Sequence, residues 1–196
     1  MANPPILYLF VGIAATFVGF LLNQTWQQTK ERKQRLERII ALLDSTRSEL
    51  DFYAGKLREL SSDMANVRRN SSPVPGMEGI AVPSYDLLPA FLEKAKLQLA
   101  DFHQTLPLVS EVGNCHYELC HLQGKLTSFK EMASTAQGPQ CLPFVVLMAG
   151  GLRGLANENT QLFEAVAKEV NTWAEKYRNE LKNFLEFACF GPWVKD

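Results

Sequence analysis

The chain has few of the side chains that usually bind metals or form disulfides. Its 196 residues include only four cysteines and three histidines. No two cysteines are spaced as C-x-x-C, and the four do not form the framework of a small disulfide-stabilised domain. We therefore expect free thiols in a reducing compartment, and no cofactor.

The chain also lacks a surplus of positive charge. Its formal net charge is −1, whereas a domain that binds nucleic acid broadly is usually strongly basic. Residues 30–69 hold ten basic and seven acidic side chains, and residues 70–196 hold ten basic and fourteen acidic ones. Nucleic acid is therefore not an expected partner, and the basic excess is confined to a segment near the N-terminus.

The third absence is the most informative, because the first 29 residues contain no charged side chain. From Ile6 to Leu22 the chain is apolar except for two glycines, Thr16 and Tyr8. At a helical rise of 1.5 Å, about 17 to 20 such residues just cross a hydrocarbon core of about 30 Å. The sequence therefore predicts a transmembrane anchor over residues 1–23.

A cleaved signal peptide is the alternative interpretation of this segment. Signal peptides carry basic residues before the apolar run and a small-x-small site after it. Residues 1–5 include neither lysine nor arginine, and residues 20–24 offer no such site. The basic cluster instead follows the run, so the positive-inside rule places residues 30–196 in the cytoplasm and the N-terminus outside the inner (plasma) membrane. Lipid headgroups are expected to contact five side chains: Trp26, Lys30, Arg32, Lys33 and Arg35.

Beyond the anchor, apolar residues recur at the three- and four-residue spacings of helices that bury one face. A juxtamembrane long helix is predicted over 24–69, with Arg47 and Ser61 interrupting its apolar stripe. Residues 70–83 are rich in turn formers and are predicted to be a linker. Residues 84–196 are predicted to form the remainder of a cytoplasmic bundle, with Ser84 as the N-cap of its first helix.

Within that remainder, further helices are predicted over about 109–133 and 152–188, with a loop at 134–140. Between them, residues 141–149 form an apolar run bounded by Gly150 and Gly151 and too short to span a bilayer. A buried helix start is favoured for this run, and a strand or an interfacial or re-entrant element is the alternative. The predicted fold class is therefore all-α: one N-terminal transmembrane helix continuing into a long helix of an antiparallel four-helix-type cytoplasmic bundle.

One short segment groups side chains that can bind metals. It runs Cys115-His116-Tyr117-Glu118-Leu119-Cys120-His121. On a helix, His116 and Cys120 are one turn apart, which makes them weak candidates for a shared metal. Zinc needs four ligands, and the others would have to come from His103, Cys141 or Cys189. The simpler interpretation is that Cys115 is a small core residue flanked by polar neighbours, and no metal site is predicted.

Two other chemical motifs are incomplete. The cysteine and histidine above lie within one helical turn, with no carboxylate to orient them as a nucleophile and base. Residues 150–154 (GGLRG) are similar to a phosphate loop, but they lack the Gly-Lys-Ser/Thr ending. A glycine-rich helix start can still bind an anion through its free N–H groups, although structural glycines explain the segment equally well. We expect a protein that is not an enzyme.

The order of segments resembles that of bacterial single-pass membrane-anchored helical-bundle proteins. It is also similar to the membrane accessory proteins of RNA-targeting CRISPR systems, which carry a degenerate HEPN-like bundle and assemble into ring-shaped pores. This resemblance implies a pore-forming or membrane-perturbing accessory of a multi-component antiviral defence system. Active HEPN ribonucleases carry an arginine followed closely by a histidine. None of His103, His116 and His121 follows an arginine in that way, so nuclease activity of this type is not expected.

Small residues on the apolar run predict self-association, and they share one helix face: Gly12, Ala15, Thr16 and Gly19. Such faces allow helix backbones to approach closely in lipid, where apolar surface alone does not drive association. Polar amides would then form rings at the inner mouth of the assembly, from Asn23, Gln24, Gln27 and Gln28. The expected partners are therefore membrane lipids and further copies of the chain, with a protein partner as an additional hypothesis.

A membrane-tethered sensor is the alternative function. In that hypothesis the bundle binds a small molecule, nucleotide or partner protein. The pocket would be lined by the apolar side chains of residues 144–148 and by the aromatics Trp173, Tyr177 and Trp193. The same residues are also typical of an ordinary helical core.

Overall fold

In a computed structural model, the chain is described over residues 4–70, 87, 90–102, 105–135 and 141–189. Side chains at a few helix ends, including residues 4–11 and 13, are not part of that description. These ranges contain no strand and four helices: α1 (Pro4–Asn70), α2 (Ala90–Ala100), α3 (Leu106–Thr135) and α4 (Leu142–Cys189). The all-α prediction is confirmed.

Helix α1 continues without a break from the apolar run into the juxtamembrane segment. Its only prolines, Pro4 and Pro5, lie in the first turn, where a missing N–H breaks no internal hydrogen bond. Residues 6–11 and 13 of the apolar run are outside the described side chains, and no helix in the described remainder is long and apolar enough to cross a membrane.

The chain divides into two compact units. The terminal unit comprises Met1–Ile40 and Lys176–Asp196, and the central unit comprises Ala41–Glu175. In the terminal unit, the described core consists of Leu36, Ile39 and Tyr177, all of them buried. Burial, opposed by the nearby Arg35, raises the pKa of the Tyr177 hydroxyl, and the charge of Glu180 raises it further.

The core of the central unit is built from the apolar stripes of all four helices. The predicted stripe of α1 is buried at Leu43, Leu50, Leu57, Leu60 and Met64. The other helices contribute side chains at the same helical spacing, among them Leu92, Leu99, Val112, Leu119, Phe129, Ala149, Phe163 and Val170. Each large side chain removed from water contributes about 1.5–3 kcal/mol to folding, which makes these stripes the main source of stability.

Polar pairs set the register between α1 and α4 in the central unit. Arg47 Nη1 donates to Asn171 Oδ1 at 2.6 Å, and the Ser61 hydroxyl donates to Asn157 Oδ1 at 2.6 Å. Because partner numbers on α4 fall as those on α1 rise, the helices run antiparallel here. The two polar residues that interrupt the α1 stripe therefore pair with α4 rather than weaken the packing.

Helices α2 and α3 are also antiparallel and pack closely. The Leu87 N–H donates to Gln123 Oε1 at 3.0 Å, and Lys96 contacts α3 ten residues earlier in that helix, at Gly113. A Cβ at position 113 would lie 3.2 Å from Lys96 Cδ, so a glycine allows this approach. Between the helices, the buried Thr105 hydroxyl donates to the Leu99 carbonyl oxygen at 2.6 Å.

Helix α4 corrects one prediction from the sequence. Residues 141–149 do start a helix, but Gly150 and Gly151 do not end it, and α4 continues as one element to Cys189. Each glycine costs roughly 1 kcal/mol relative to alanine, and the buried Ala149 and Leu152 on either side offset that cost by packing. The strand alternative is wrong.

Other predicted boundaries are only partly covered by the structure. Helix α1 ends at Asn70, and residues 71–83 of the predicted linker lie outside the described residues, as does Ser84. Helix α3 extends to Thr135, so the first two residues of the predicted loop are helical, and residues 136–140 are again outside the description.

Candidate functional site

The segment with potential metal ligands lies on α3 and brings only pairs of side chains together. Cys120 Sγ and His116 Nε2 are 4.0 Å apart, and His121 Nδ1 lies 3.9 Å from Glu118 Oε2. Cys141 is half-buried, and the side chains of His103 and Cys189 lie outside the described residues. Among the described side chains no three of the types His, Cys, Asp and Glu are grouped to bind a metal ion.

Cys115 belongs to the core and not to a reactive site. Its side chain is fully buried, and burial, with the nearby charge of Glu111, raises the pKa of the thiol to about 12. Nucleophilic attack and metal binding both need the thiolate. The interpretation of Cys115 as a small core residue is confirmed.

The glycine-rich segment at 150–154 is not a helix start. Gly150, Gly151 and Gly154 all lie inside α4, more than a turn beyond its first residue. A helix interior uses its backbone N–H groups in its own hydrogen bonds, and only the first turn leaves them free for an anion. The idea of a phosphate-binding helix start at this position is therefore wrong.

The small-residue face of α1 is open in the isolated chain. A Cβ on Gly12 or Gly19 would meet no atom within 4 Å apart from the adjoining backbone and chain neighbours in its own helix. The Thr16 hydroxyl donates to the Gly12 carbonyl oxygen at 2.8 Å. Its hydrogen-bond donor is therefore satisfied within the helix. Ala15 on the same face is exposed. The four predicted residues thus form a smooth, uncovered strip.

Large apolar side chains flank this strip and continue beyond it on the same helix. They are exposed by 44–71%: Phe17, Val18, Phe20, Leu21, Leu22 and Trp26. Exposed apolar patches of this kind mark surfaces that meet lipid or another protein. A helix that is apolar all round is usually surrounded by one or the other.

The four amides predicted at the inner mouth follow the apolar run directly along α1. Asn23, Gln24, Gln27 and Gln28 are exposed. Beside them in the chain, Thr25 and Thr29 donate their hydroxyl hydrogens to backbone carbonyls one turn earlier, at 3.0 Å and 2.7 Å. The amides are therefore the polar groups that this turn offers to its surroundings.

The predicted headgroup contacts are exposed, but one of them binds another helix. Lys33 forms an ion pair along α1 with Glu37 at 3.8 Å. Arg32 instead contacts α4, where its Nη2 lies 3.0 Å from Glu180 Oε1 and its guanidinium stacks 5.3 Å from the centroid of the Phe184 ring.

Around Arg32, the terminal unit contains an open groove of about 440 Å³. It is lined by Arg32, Lys176, Asn179, Glu180, Asn183 and Phe184, and we call it the Arg32 groove. Only Arg32 was expected from the sequence. The sequence could have shown that the five α4 residues share one helix face, because they follow three- and four-residue spacings. It could not have shown that this face meets Arg32.

The residues predicted to line a sensor pocket are distributed over both units. Tyr177 is buried in the core of the terminal unit. In the central unit, Phe144 and Leu147 are exposed on the surface of α4. Trp193 lies outside the described residues.

Two carboxyl groups approach each other between α3 and α4 in the central unit. A hydrogen bond to Glu169 raises the pKa of the Glu111 carboxyl, and burial and the charge of Glu169 raise it further. Such a bond requires one shared proton, since two carboxylates only repel each other. This contact could not be predicted from the sequence, because the partners lie far apart in the chain.

Replacing Glu111→Gln should stabilise the protein at neutral pH. Because the folded-state pKa of Glu111 is raised, its stabilising contact is complete below the ordinary value of 4.5 and is lost as pH rises through the folded value. A glutamine donates without a titrating proton, so we expect a gain of a few tenths of a kcal/mol at pH 7, the size of a relieved like-charge pair. Urea unfolding followed by circular dichroism at acidic and neutral pH measures it.

The matched control is Glu158→Gln, which removes an exposed carboxylate of α4. It should leave the pH dependence of stability as in the parent protein. Equal pH slopes for Glu111→Gln and the parent would show that the pair shares no proton.

Comparison of this chain with protein-family models, with curated proteins and with solved structures gave no match.

Proposed function

We propose that this protein is a membrane-anchored helical protein that self-associates in the membrane. One observation carries the proposal: from Gly12 to Gln28, helix α1 exposes every side chain that the structure describes, including six large apolar ones. In this proposal the apolar run crosses the inner (plasma) membrane, with the N-terminus outside and the central unit in the cytoplasm.

The physical argument is the cost of leaving that helix in water. At about 1.5–3 kcal/mol per large side chain, six partly exposed ones represent on the order of 5–10 kcal/mol. Insertion into a bilayer removes this cost. It leaves no backbone group without a hydrogen-bond partner, because an α-helix already pairs its own N–H and C=O groups. The basic cluster after the run supports the orientation.

Self-association is proposed because the uncovered strip from Gly12 to Gly19 allows close backbone contact between copies. In such an assembly, Asn23, Gln24, Gln27 and Gln28 of neighbouring chains would meet at the cytoplasmic mouth. Neutral amides can replace the hydration of passing ions, so a pore is the activity that this arrangement favours. A role as an accessory of antiviral defence is proposed from the resemblance of segment order alone.

The double variant Gly12→Leu with Gly19→Leu should reduce the oligomer to monomer. The two leucines fill the strip and keep the backbones apart, as expected for a small-residue interface. Cross-linking in membranes and light scattering in detergent measure the mass. Overproduction of the parent protein, but not of this variant, should also lower the membrane potential reported by a voltage-sensitive dye.

The control adds apolar bulk to other sides of the same helix, as Ala14→Leu with Val18→Leu. It should keep both the oligomer and the dye response. An unchanged mass for the Gly12/Gly19 variant contradicts the proposed interface. A full-size oligomer of the parent protein that leaves the potential intact contradicts the pore and leaves a scaffold.

A further inference from the structure

The Arg32 groove brings two helices of the terminal unit together around one guanidinium. Arg32 is held from one side by the Glu180 carboxylate and from below by the Phe184 ring. Its side chain is nevertheless 60% exposed. A guanidinium has five N–H donors. The contact with Glu180 involves only Nη2, so the remaining N–H groups can bind a ligand in the open groove.

The other lining residues add a second cation and two amides. Lys176, Asn179 and Asn183 are all exposed, and they lie one turn apart along α4. Ammonium and amide N–H groups are donors that suit phosphate oxygens. Among the described lining residues, Glu180 is the only anionic acceptor, and a carboxylate suits hydroxyl groups attached near a phosphate.

The surroundings of the groove are basic although the whole chain is not. Residues 12–40 and 176–186 together carry eight basic and four acidic side chains, whereas the chain as a whole has a net charge of −1. A locally positive surface raises the concentration of anions near it, within a Debye length of about 8–10 Å.

The position along α1 relates the groove to the lipid surface. Trp26 is the type of residue that sits at the headgroup level. Arg32 follows it by six residues, about 9 Å along the helix axis. Arginine and lysine side chains extend several ångströms further toward an interface, as snorkelling residues do.

We propose that the Arg32 groove binds the phosphodiester headgroup of an anionic phospholipid with hydroxyl groups, such as phosphatidylglycerol. The inference rests on the proposed membrane anchoring and adds a defined lipid site to it. On binding, Arg32 exchanges Glu180 for a phosphate oxygen and stays stacked on Phe184. Lys176, Asn179 and Asn183 donate to the phosphate, and Glu180 accepts from the glycerol hydroxyls.

The test uses the full chain in nanodiscs of equal phosphatidylcholine and phosphatidylglycerol, released for native mass spectrometry. The parent protein should retain phosphatidylglycerol in preference to phosphatidylcholine. Lys176→Gln should lower that preference about tenfold, the effect of losing one hydrogen bond between charged groups. Glu180→Gln should raise it, because Arg32 loses its competing carboxylate while the glutamine amide oxygen can still accept from the glycerol hydroxyls. A gain of binding cannot arise from misfolding.

The control is Lys182→Gln, which removes a basic side chain from the same helix but outside the groove, where Lys182 pairs with Glu186 at 3.9 Å. It should change retention little. Equal losses for the Lys176 and Lys182 variants would show diffuse attraction to charge and overturn the site. A loss of retention in Glu180→Gln would contradict the proposed exchange of Glu180 for a phosphate oxygen at Arg32.

Two further measurements separate other outcomes. Glycerol 3-phosphate added to the protein in detergent should bind far more weakly than the lipid; equal binding would make the groove a site for soluble phosphates. Resistance of the parent protein to alkaline carbonate extraction reports membrane anchoring by itself, so failure of the proposed function is visible independently of lipid preference.

Discussion

Two lysines placed in the apolar run, as Ala14→Lys with Val18→Lys, should release the protein from membranes. Both positions are exposed on α1 and lie near the middle of residues 6–22. A lysine at the centre of a membrane-spanning helix costs about 2.5–3.5 kcal/mol, so two cost about 5–7 kcal/mol. The measurement is the distribution between membrane pellet and supernatant after alkaline carbonate extraction.

The matched control places two lysines on the same helix beyond the run, as Gln27→Lys with Gln34→Lys. These positions already lie in or beside the basic cluster and are exposed, so extraction should be unchanged. If the Ala14/Val18 lysine protein stays in the carbonate pellet to the same extent as the parent, the apolar run is not the anchor. The exposed surface would then have to be covered by protein.

Truncating Phe163→Ala should destabilise the central unit by about 3–5 kcal/mol, the usual cost of deleting a buried aromatic ring. Phe163 is completely buried, and its ring meets that of Tyr53 edge-on with 6.4 Å between centroids. The deletion removes that contact and leaves a cavity between α1 and α4. Urea unfolding followed by circular dichroism measures the loss.

Phe144→Ala is the control, because it deletes the same ring from a site that is 52% exposed. Its effect should be within about 0.5 kcal/mol, as for most surface substitutions. Equal costs for the two truncations would mean that the core is not organised around Phe163.

The helical stripes could be predicted because their signal is local. A period of 3.6 residues puts Leu43, Leu50 and Leu57 on one face, and apolar side chains on one face must be buried. The same argument correctly placed Cys115 in the core. It also located the small-residue strip from Gly12 to Gly19, since face membership depends only on spacing within one helix.

The extent of α4 was the main error of the sequence analysis. Gly150 and Gly151 are local helix breakers by propensity, and propensity suggested two elements and a glycine-rich helix start. Packing of the buried Val145, Ala149 and Leu152 on the same face outweighs that preference. The conflict is between a cost of a kilocalorie or two and the larger gain from burial.

Periodicity along the chain identified most of the helical segments, the apolar face of each, and the region without charge. Which helices meet, and at what height, depends on their packing in three dimensions, because face periodicity repeats every turn and does not select a register. Arg32 therefore meets Glu180 across 148 residues, and Glu111 meets Glu169 on another helix. Such contacts depend on many stripes packing at once, and for that reason the groove and the carboxyl pair could not be read from any segment alone.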